Sequence, residues 1–531
     1  MQFHGKNFIG SKLSATGSST ISGYDPRAGH KLDGAFHEAT AGETDSALNL
    51  ATQAFDTLRV ADSEKIAGFL ESIASGIEAL GDTLIDRTVQ ESGLPKDRLS
   101  GERGRTCGQL RLFANVVREG SFVDARIDTA LPDRKPLPKP DLRRMLIPVG
   151  PVAVFGASNF PLAFSVAGGD TASAFAAKNP VIVKAHPAHP GTSELVAGAI
   201  VKAVEQSGLP EGTFSMLHAA DPEISQALVK HALVKAVAFT GSERAGRAIY
   251  NTAAARAEPI PAYVEMGSNN PVFILPGALE SSFDKLVEGL FASINLGVGQ
   301  FCTSPGVVVG NDDERFTQFG QKLEELFLKG IPGSMLTPAI AKGYSQNVDQ
   351  RSGAQGIATV RSSATPNSSK TEVTPVLFKA AADTWLSNGE LAAEIFGPSA
   401  VLIRSKSKEE LLRVARSWHG TLTASLFGTP EDLQNNQELI AVLEQKAGRL
   451  IFNGFPTGVE VTHAMHHGGP YPATGDAKFT SVGTAAIFRF LRPVCFQNFP
   501  EEALPAELRD SNPRKIWRMV NGELTRDTVG G

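Results

Sequence analysis

The chain has 531 residues, of which 42% are hydrophobic and 20% charged, and its formal net charge is −5 at pH 7. The length suggests two or three domains, and the composition is typical of a soluble protein that buries large cores. Lys and Arg are mixed among Asp and Glu, every apolar run is too short to cross a membrane, and the amino terminus lacks a secretory-signal layout, so we expect neither a nucleic-acid nor a membrane partner.

The cysteine and histidine content argues against a disulfide framework or a metal site. Cys107, Cys302 and Cys495 are widely separated and odd in number. This usage predicts a reducing, cytoplasmic environment. Three of the eleven histidines fall within residues 463–467. No cysteine or carboxylate accompanies them at metal-ligand spacing, so no metal site is predicted.

The first part of the chain has a helical pattern. Residues 44–60 read as an amphipathic helix with Thr44 or Asp45 near its cap, and residues 62–92 continue in helical pattern up to a stop signal. Residues 131–140 are rich in proline and charge. That composition predicts an extended connector.

Beyond this connector, short β-branched runs alternate with helical segments. The predicted strands are 148–156, 180–184 and 236–241, and the predicted helices are 163–177, 192–207 and 243–256. Alternation with short connections indicates a doubly wound α/β sheet of parallel strands.

A second apolar series mixes strands and helices over residues 271–310, 375–403 and 423–453. It is long enough to form an α/β domain of its own. Residues 484–495 alternate as a strand would, and we expect this strand to pair with one near residues 122–127. Exposed strands of this kind commonly pair with another subunit.

Two motifs suggest chemistry, and each has a structural alternative when taken alone. Cys302 lies among glycines and turn-forming residues, but a free cysteine is usually buried and inert. Residues 239–246 form a glycine turn after a strand, as in phosphate sites, yet they lack the GxGxxG fingerprint. Neither motif decides between structure and catalysis.

The combination of motifs is more specific. In order along the chain stand Gly156-Ala-Ser-Asn-Phe-Pro161, Val183-Lys184, Phe239-Thr-Gly-Ser242, Glu265-Met-Gly-Ser268, Gly299-Gln-Phe-Cys302 and Glu394-Ile-Phe-Gly-Pro398. Over nearly the full length this series resembles the aldehyde dehydrogenase superfamily. The resemblance implies an α/β fold with a Rossmann-type cofactor domain, an α/β catalytic domain, a small β oligomerisation element, and assembly as a homodimer or homotetramer. We expect the cofactor domain at 1–120 and 147–264, the catalytic domain at 265–464, the oligomerisation strands at 121–146 and 480–499, and a C-terminal tail at 500–531.

The resemblance also implies roles for individual residues. Cys302 matches the nucleophile that forms a thiohemiacetal and then a thioester. Asn159 and the backbone N–H of Cys302 match the donors that hold the oxyanion. Glu265 matches the carboxylate that activates water, which favours release of a free acid over transfer to coenzyme A. Ser268 stands where many relatives have glycine, and its hydroxyl is expected to crowd the loop and shift Glu265.

The expected cofactor is a nicotinamide dinucleotide. The resemblance assigns its contacts to Lys184, His186, Gly241, Ser242, Glu394 and Phe396. Pro187 replaces the glutamate that many NAD-preferring relatives place three residues after the lysine. Without that negative charge, and with Lys184 and His186 as neighbouring cations, NADP is favoured and NAD is the alternative.

The expected substrate is 2-oxoglutarate semialdehyde, because residues 100–110 and 467–475 look most like the bacterial branch that oxidises it. An aliphatic aldehyde is the alternative, and an inactive relative with the same fold is the alternative of another class. Arg103 and Arg105 are candidates to bind the substrate carboxylate. The predicted substrate contacts are Arg105, Phe160 and His467.

Overall fold

The structure is a computed structural model that describes residues 3–530. Two sheets of seven strands and one of five organise this part of the chain, together with three two-stranded pairs. Helices cover both large sheets. The predicted α/β class is confirmed.

The first large sheet contains five parallel strands and an antiparallel N-terminal hairpin at one edge. In spatial order its strands are Ala262–Glu265, Ala236–Thr240, Val152–Phe155, Val181–Ala185, Phe214–His218, Asn7–Ile9 and Lys12–Ser14. Strands 152–155 and 214–218 are buried throughout, as expected for β-branched and apolar runs between two helical layers. Because the five strands are parallel, Lys184, Gly241 and Glu265 lie near the same carboxyl edge.

Eight helices belong to this half of the described chain, and they are Ala41–Leu58, Ser63–Ala79, Gly81–Ser92, Lys96–Glu119, Gly169–Ala176, Pro190–Gln206, Pro222–Lys230 and Glu243–Ala254. The first begins at Thr40 and not at Thr44 or Asp45, since Thr40 and Glu43 form a reciprocal capping box. The cap predicted from the sequence is too late because Gly42 is a poor helix former in the first turn.

Two other helix predictions are corrected. The pattern over 62–92 is two helices, because Gly81 has φ +56 and turns the chain between them. The crossover helix predicted over 163–177 extends only over Gly169–Ala176. Residues 161–168 form a compact turn in which Gly168 approaches the Ala163 backbone too closely for any side chain.

The second large sheet has six parallel strands and one antiparallel edge strand. In spatial order its strands are Ala358–Arg361, Val376–Ala381, Ser399–Ser405, Pro305–Asn311, Asn270–Ile274, Thr421–Phe427 and Ala447–Phe452. Its helices are Pro276–Ser281, Phe283–Asn295, Glu314–Leu328, Pro338–Ser352, Ala382–Ser387, Lys408–Ser417, Pro430–Asn435 and Gln437–Glu444. Cys302 lies just before the strand that begins at Pro305.

The five-stranded sheet contains Leu491–Gln497, Leu142–Pro148, Arg126–Asp128, Arg518–Val520 and Glu523–Thr525 in that order. The strand predicted over 484–495 begins only at Leu491, since 484–490 form a 3₁₀ helix. It pairs with 142–148 and not with the strand near 122–127, which is the next one in the sheet. The strand Leu142–Pro148, which follows the connector at residues 131–140, was not identified from the sequence. That connector is irregular, as predicted.

The remaining short elements are the strand pairs Thr20–Ile21 with Phe36–His37, Tyr24–Asp25 with His30–Lys31, and Gly333–Ser334 with Glu372–Val373, and the 3₁₀ helices Ser121–Val123, Glu211–Thr213, Leu296–Gly299, Gly389–Ala392, Thr484–Phe490, Glu501–Ala503 and Ala506–Leu508. Across residues 3–530, no helix combines the length and the hydrophobicity that crossing a bilayer requires.

Candidate active site

Cys302 is held in a loop between the second large sheet and a tight turn. Asn270, at the start of a central strand, donates from Nδ2 to the carbonyl oxygens of Cys302 and Ser304 at 2.9 and 3.0 Å. The turn before the thiol includes Val298 at φ 59, a left-handed conformation that a β-branched residue seldom adopts. The Cys302 side chain remains partly exposed. The loop therefore fixes the backbone and leaves the sulfur accessible.

A carboxylate and an imidazole meet this thiol. His467 Nε2 lies 3.0 Å from Glu265 Oε1 and 3.5 Å from Cys302 Sγ. The other oxygen of Glu265 accepts a hydrogen bond from the Ser481 hydroxyl. We call Glu265, Cys302 and His467 the reaction cluster. His467 and Glu265 are almost fully buried, with side chains 1% and 4% exposed.

Backbone pairing brings these distant residues together. Residues 473–475 run beside the edge strand that ends at Glu265, with Met266 N donating to Ala473 O and Gly475 N donating to Val264 O. His467 N donates to Thr480 Oγ1 at 2.8 Å, which ties the imidazole segment to the Ser481 segment. The reaction cluster is therefore built on an extension of the first sheet.

The environment sets the protonation of the reaction cluster. Burial raises the pKa of Glu265, but His467 and Ser481 outweigh it and bring that pKa below the ordinary carboxyl value. Burial, followed by the negative charges of Glu265 and Glu394, raises the pKa of the Cys302 thiol well above its ordinary value. At neutral pH the resting cluster thus holds a carboxylate beside a protonated thiol.

Asn159 lies next to the thiol loop, as the sequence predicted. The side-chain Nδ2 of Asn159 donates to the backbone carbonyl oxygen of Gln300 at 3.0 Å. The backbone carbonyl oxygen of Asn159 accepts a hydrogen bond from Arg98 Nη2 at 2.8 Å. The Arg98 guanidinium is centred 5.1 Å from the Phe160 ring and 4.8 Å from the Phe301 ring. An amide has two N–H groups, so one remains for an oxyanion.

A cleft of about 530 Å³ opens beside Arg105. We call it the anion pocket, and it is lined by Arg105, Gly108, Gln109, Leu112, Val459, Glu460 and Val461, among others. The guanidinium carbon of Arg105 is 5.2 Å from the centre of the Phe164 ring, which in turn lies 6.4 Å from the His467 ring. Among the described residues, the buried Nε and Nη2 of Arg105 have no hydrogen-bond partner.

Arg103 is the other arginine that the sequence offered for carboxylate binding. It donates from Nη1 to the Gly81 carbonyl oxygen at 2.9 Å and joins two helices. Since Arg103 and Arg105 are two residues apart on one helix, they point to different sides. Only Arg105 lines the anion pocket.

The predicted cofactor residues lie at the carboxyl edge of the first sheet. Lys184 is the last residue but one of its strand, and burial lowers its pKa to about 8. Gly241 N donates to the Glu265 carbonyl oxygen, and Ser242 caps the following helix by accepting from Ala245 N. Burial, with smaller effects from His189 and Lys184, lowers the pKa of His186 well below its ordinary value. The uncharged imidazole is therefore favoured, and Lys184 is the cation of the pair.

Glu394 reaches the same region from the second large sheet. A Cβ on Gly267 would lie 2.0 Å from the Glu394 Oε2, so only glycine fits there. Burial raises the pKa of Glu394 to about 8, although the Ser268 backbone N–H acts in the opposite sense. Phe396 is partly buried two residues further on.

The backbones of two site loops are in contact. Gly299, three residues before the thiol, has φ +66, and a Cβ there would lie 2.2 Å from the Gly397 carbonyl carbon. Gly397 itself has φ +153. Both positions therefore require glycine.

Ser268 does not crowd the loop, so that expectation is wrong. Its hydroxyl is buried, donates to Asn270 Oδ1 at 2.9 Å and accepts from Leu422 N at 2.9 Å. It also lies 2.7 Å from Thr421 Oγ1. Because Asn270 holds the Cys302 carbonyl, Ser268 supports the thiol loop.

Sequence reasoning missed Ser481 and Thr480, which contact Glu265 and His467. Both fall in the segment 480–499 that was assigned to oligomerisation strands. Nothing in the local sequence indicated that these two polar residues belong to the site. Their contacts depend on a turn around residues 476–483 that no short motif specifies.

Comparison with known proteins agrees with this geometry. The sequence profile described as "Aldehyde dehydrogenase family" matches residues 13–476. The chain is 47% identical over 524 residues to alpha-ketoglutaric semialdehyde dehydrogenase 2 of Azospirillum brasilense, covering 98% of this chain and 100% of the relative. It is 46% identical over 525 residues to alpha-ketoglutaric semialdehyde dehydrogenase of Acinetobacter baylyi, covering 99% of each.

Solved structures share the fold. A 1-pyrroline-5-carboxylate dehydrogenase from Thermus, solved with bound NAD, has a TM-score of 0.77 at 20% identity and covers 93% of this chain and 92% of its own. A variant of an aldehyde dehydrogenase from Bacillus cereus has a TM-score of 0.78 at 21% identity, with 93% and 96% covered. The chain belongs to the aldehyde dehydrogenase family.

Proposed function

We propose that the protein oxidises 2-oxoglutarate semialdehyde to 2-oxoglutarate with a nicotinamide dinucleotide as hydride acceptor. Two relatives that are 46–47% identical over almost their entire length are named for this semialdehyde. The single observation that carries the substrate class is the unpartnered guanidinium of Arg105 in the anion pocket.

Burying a cation with unpaired N–H groups costs folding free energy, and a ligand that accepts hydrogen bonds from those groups offsets this cost. A carboxylate presents two oxygens in one plane and matches the guanidinium fork. The proposed substrate carries a carboxylate at one end and an aldehyde at the other. The Phe164 ring neighbours both the Arg105 guanidinium and the His467 ring, so in this proposal the short carbon chain of the substrate passes beside it to the thiol.

The first chemical step is attack of Cys302 Sγ on the aldehyde carbon. The thiol proton passes to the Glu265 carboxylate, which is ionised at neutral pH. Asn159 Nδ2 and the Cys302 backbone N–H then hold the developing oxyanion. Each such donor is worth about 3–4 kcal/mol when it is aimed correctly.

The carboxyl edge of the first sheet fits a dinucleotide. Lys184 ends its strand with a positive charge, and Ser242 opens a helix whose N–H groups suit a pyrophosphate. The Thr240 hydroxyl, between them, is buried and has no partner within residues 3–530. When bound, the nicotinamide accepts the hydride released from the tetrahedral adduct. Glu394 is placed to bind the nicotinamide ribose, and Phe396 to pack beside it.

Release of the carboxylic acid product requires a water molecule that is activated for attack on the thioester at Cys302. After Glu265 has released the thiol proton to solvent, its carboxylate can accept a proton from that water, since His467 and Ser481 each hold one of its oxygens in place. His467 Nε2 is best assigned as the donor to Glu265, because an anionic oxygen at 3.0 Å favours the N–H form. His467 is therefore proposed as a positioning residue and not as the base.

NADP is proposed as the preferred cofactor and NAD as the alternative. Pro187 offers no negative charge to repel a 2′-phosphate, and Lys184 is the nearby cation. The uncharged His186 can contribute a hydrogen bond only, so the preference for NADP rests on Lys184.

Self-association as a dimer or tetramer is proposed through the five-stranded sheet. The edge strand Leu491–Gln497 alternates between partly buried and exposed residues, and Phe488 and Phe499 beside it are 37% and 49% exposed. An uncovered edge with neighbouring aromatic groups is suited to pairing with a second copy.

A substrate panel with both nicotinamides tests the proposal. We expect kcat/KM for 2-oxoglutarate semialdehyde to exceed that for hexanal by about 100-fold or more, because the unpaired Arg105 penalises a substrate without a carboxylate. A preference for hexanal would support the aliphatic alternative. No turnover of any aldehyde would support an inactive relative.

A further inference from the structure

The reaction cluster also has the composition of a metal site. Cys302 Sγ, His467 Nε2 and a carboxylate oxygen of Glu265 all lie within 4.8 Å of one another. Thiolate, imidazole and carboxylate together are ligands that suit zinc, whereas Mg²⁺ and Ca²⁺ prefer oxygen alone. No metal-ligand spacing in the sequence indicated this group, because its thiol and carboxylate lie 165 and 202 residues from the histidine.

The two separations that involve His467 Nε2 are close to those around one tetrahedral ion, and the sulfur and the carboxylate oxygen lie within 4.8 Å of each other. Zinc bonds of about 2.3 Å to sulfur and about 2.0 Å to nitrogen place those two atoms about 3.5 Å apart. The observed separation of Sγ and Nε2 is 3.5 Å. The corresponding nitrogen–oxygen separation is about 3.4 Å, and the observed 3.0 Å between Nε2 and Oε1 needs only a small opening.

One nitrogen of His467 faces two partners that make opposite demands. Glu265 Oε1 favours a hydrogen on Nε2, whereas a hydrogen bond from the Cys302 thiol to His467 needs a lone pair on the same Nε2. The neutral imidazole cannot meet both demands. A cation at the centre resolves the conflict, because all three atoms then act as electron-pair donors.

The surroundings favour exchangeable binding over a resident metal. Ser481 holds Glu265 Oε2 and thereby directs Oε1 towards His467 Nε2, which orients one ligand. The Nδ1 of His467 is buried and has no partner among the described residues, although ligating histidines usually donate their second N–H to an acceptor. Cys302 is partly exposed, so an ion can enter and leave.

We propose that Zn²⁺ binds the reaction cluster reversibly and inhibits the enzyme. Cys302 Sγ, His467 Nε2 and Glu265 Oε1 hold the ion, and water completes the fourth position. The thiol proton leaves to solvent as the sulfur–zinc bond forms, and the imidazole exchanges its Nε2 proton for one on Nδ1, with no change in oxidation state. Coordination withdraws electron density from the sulfur and covers its accessible side, so its attack on an aldehyde is blocked, and a chelator restores activity.

A binding titration tests the ligand set without any assay of turnover. Cd²⁺ serves as the probe, because its bond to sulfur gives a charge-transfer absorption in the ultraviolet. The exposed Cys495 is first removed as Cys495→Ser, so that its thiol contributes no signal. We expect one Cd²⁺ per chain, loss of the absorption in Cys302→Ser, and at least about 10-fold weaker binding in His467→Phe and in Glu265→Gln.

The control variant for this titration is His231→Ala. His231 lies 3.2 Å from Asp45 at the surface, so it is an imidazole–carboxylate pair without a thiol. Cd²⁺ binding should be unchanged in this variant. An absorption that persists in Cys302→Ser, or His467→Phe protein that binds as tightly as its parent, would overturn the proposal.

A second measurement uses the unaltered protein and does not depend on how variants fold. Zn²⁺ should slow alkylation of Cys302 by iodoacetamide at least about 10-fold while leaving alkylation of Cys495 unchanged, and EDTA should reverse the effect. Equal rates at Cys302 with and without Zn²⁺ would contradict zinc binding there. Because no aldehyde is present, this outcome is separate from any error in the proposed substrate.

Discussion

Two buried polar regions lie near the Phe164 ring, and they differ in how completely their groups are paired. In the reaction cluster, both oxygens of Glu265 have partners, and one nitrogen of His467 serves two neighbours. In the anion pocket, the guanidinium of Arg105 keeps two buried nitrogens unpaired. The chemistry is therefore organised before substrate arrives, whereas recognition is completed by the substrate itself. Changes in the first region should affect every aldehyde, and changes in the second should affect only some.

The largest effect is expected from Cys302→Ser. A serine hydroxyl is a far weaker nucleophile than a thiolate, so kcat should fall by about 10⁴-fold or more for all aldehydes. The measurement is the rate of reduced-nicotinamide formation, followed by absorbance. Cys495→Ser is the matched control, since that thiol is exposed on the five-stranded sheet and should be silent. Substantial turnover by Cys302→Ser would remove the covalent mechanism.

Glu265→Gln should slow steady-state turnover by about 10²- to 10⁴-fold, because no carboxylate remains to accept the proton of the hydrolytic water. Because Glu265 also accepts the thiol proton, formation of the first reduced nicotinamide at each site should slow as well as the later hydrolytic phase. Stopped-flow absorbance separates the two phases. The effect should again be the same for short, long, charged and neutral aldehydes, and a loss confined to one substrate would contradict the role.

Arg105→Met should act on one substrate class. Loss of a charge-assisted pair worth about 1.5–3 kcal/mol raises KM for 2-oxoglutarate semialdehyde by about 10- to 100-fold. KM for hexanal should change by less than about 2-fold, because the methionine keeps the apolar part of the side chain. Arg103→Met on the same helix is the control and should leave both values unchanged. Equal losses on both aldehydes would place Arg105 in the structure and not in recognition.

The smallest expected effect is a change with pH in the preference of the enzyme for NADP over NAD. Burial lowers the pKa of Lys184 to about 8, so its positive charge is present below pH 8 and is lost as the pH rises through that value. KM for NADP should therefore rise relative to KM for NAD between about pH 7 and 9. In Lys184→Met the ratio of the two KM values should be higher and independent of pH. A constant ratio in the unaltered enzyme would exclude Lys184 from phosphate recognition.

Local pattern was sufficient to predict the framework. The runs around 181–185 and 236–240 predicted buried parallel strands to within a residue or two. The catalytic roles of Cys302, Glu265 and Asn159, taken from the short motifs, stay predictions. These features depend on residues close in sequence or on spacing that the whole family shares. The domain boundaries, the oligomeric state and the cytoplasmic location stay predictions.

Contacts between distant segments could not be predicted in this way. His467 was proposed as a substrate contact, yet its nearest partners are the carboxylate and the thiol of the protein itself. Ser268 was expected to disturb the loop because a hydroxyl is larger than a hydrogen atom. The Ser268 hydroxyl instead stabilises the loop, because it forms hydrogen bonds with residues 270, 421 and 422. These bonds depend on strand pairing, which a short motif does not specify.

The contact between Gly299 and Gly397 has a consequence for how such an enzyme can diversify. With no room for a β-carbon at the junction, the segment that carries the sulfur and the segment that follows Glu394 can only change together. Variation is tolerated instead at the far wall, where the helix bearing residue 105 and the segment 459–461 meet with open space between them. New aldehydes can therefore be adopted by replacing side chains there, without disturbing the step that every substrate shares.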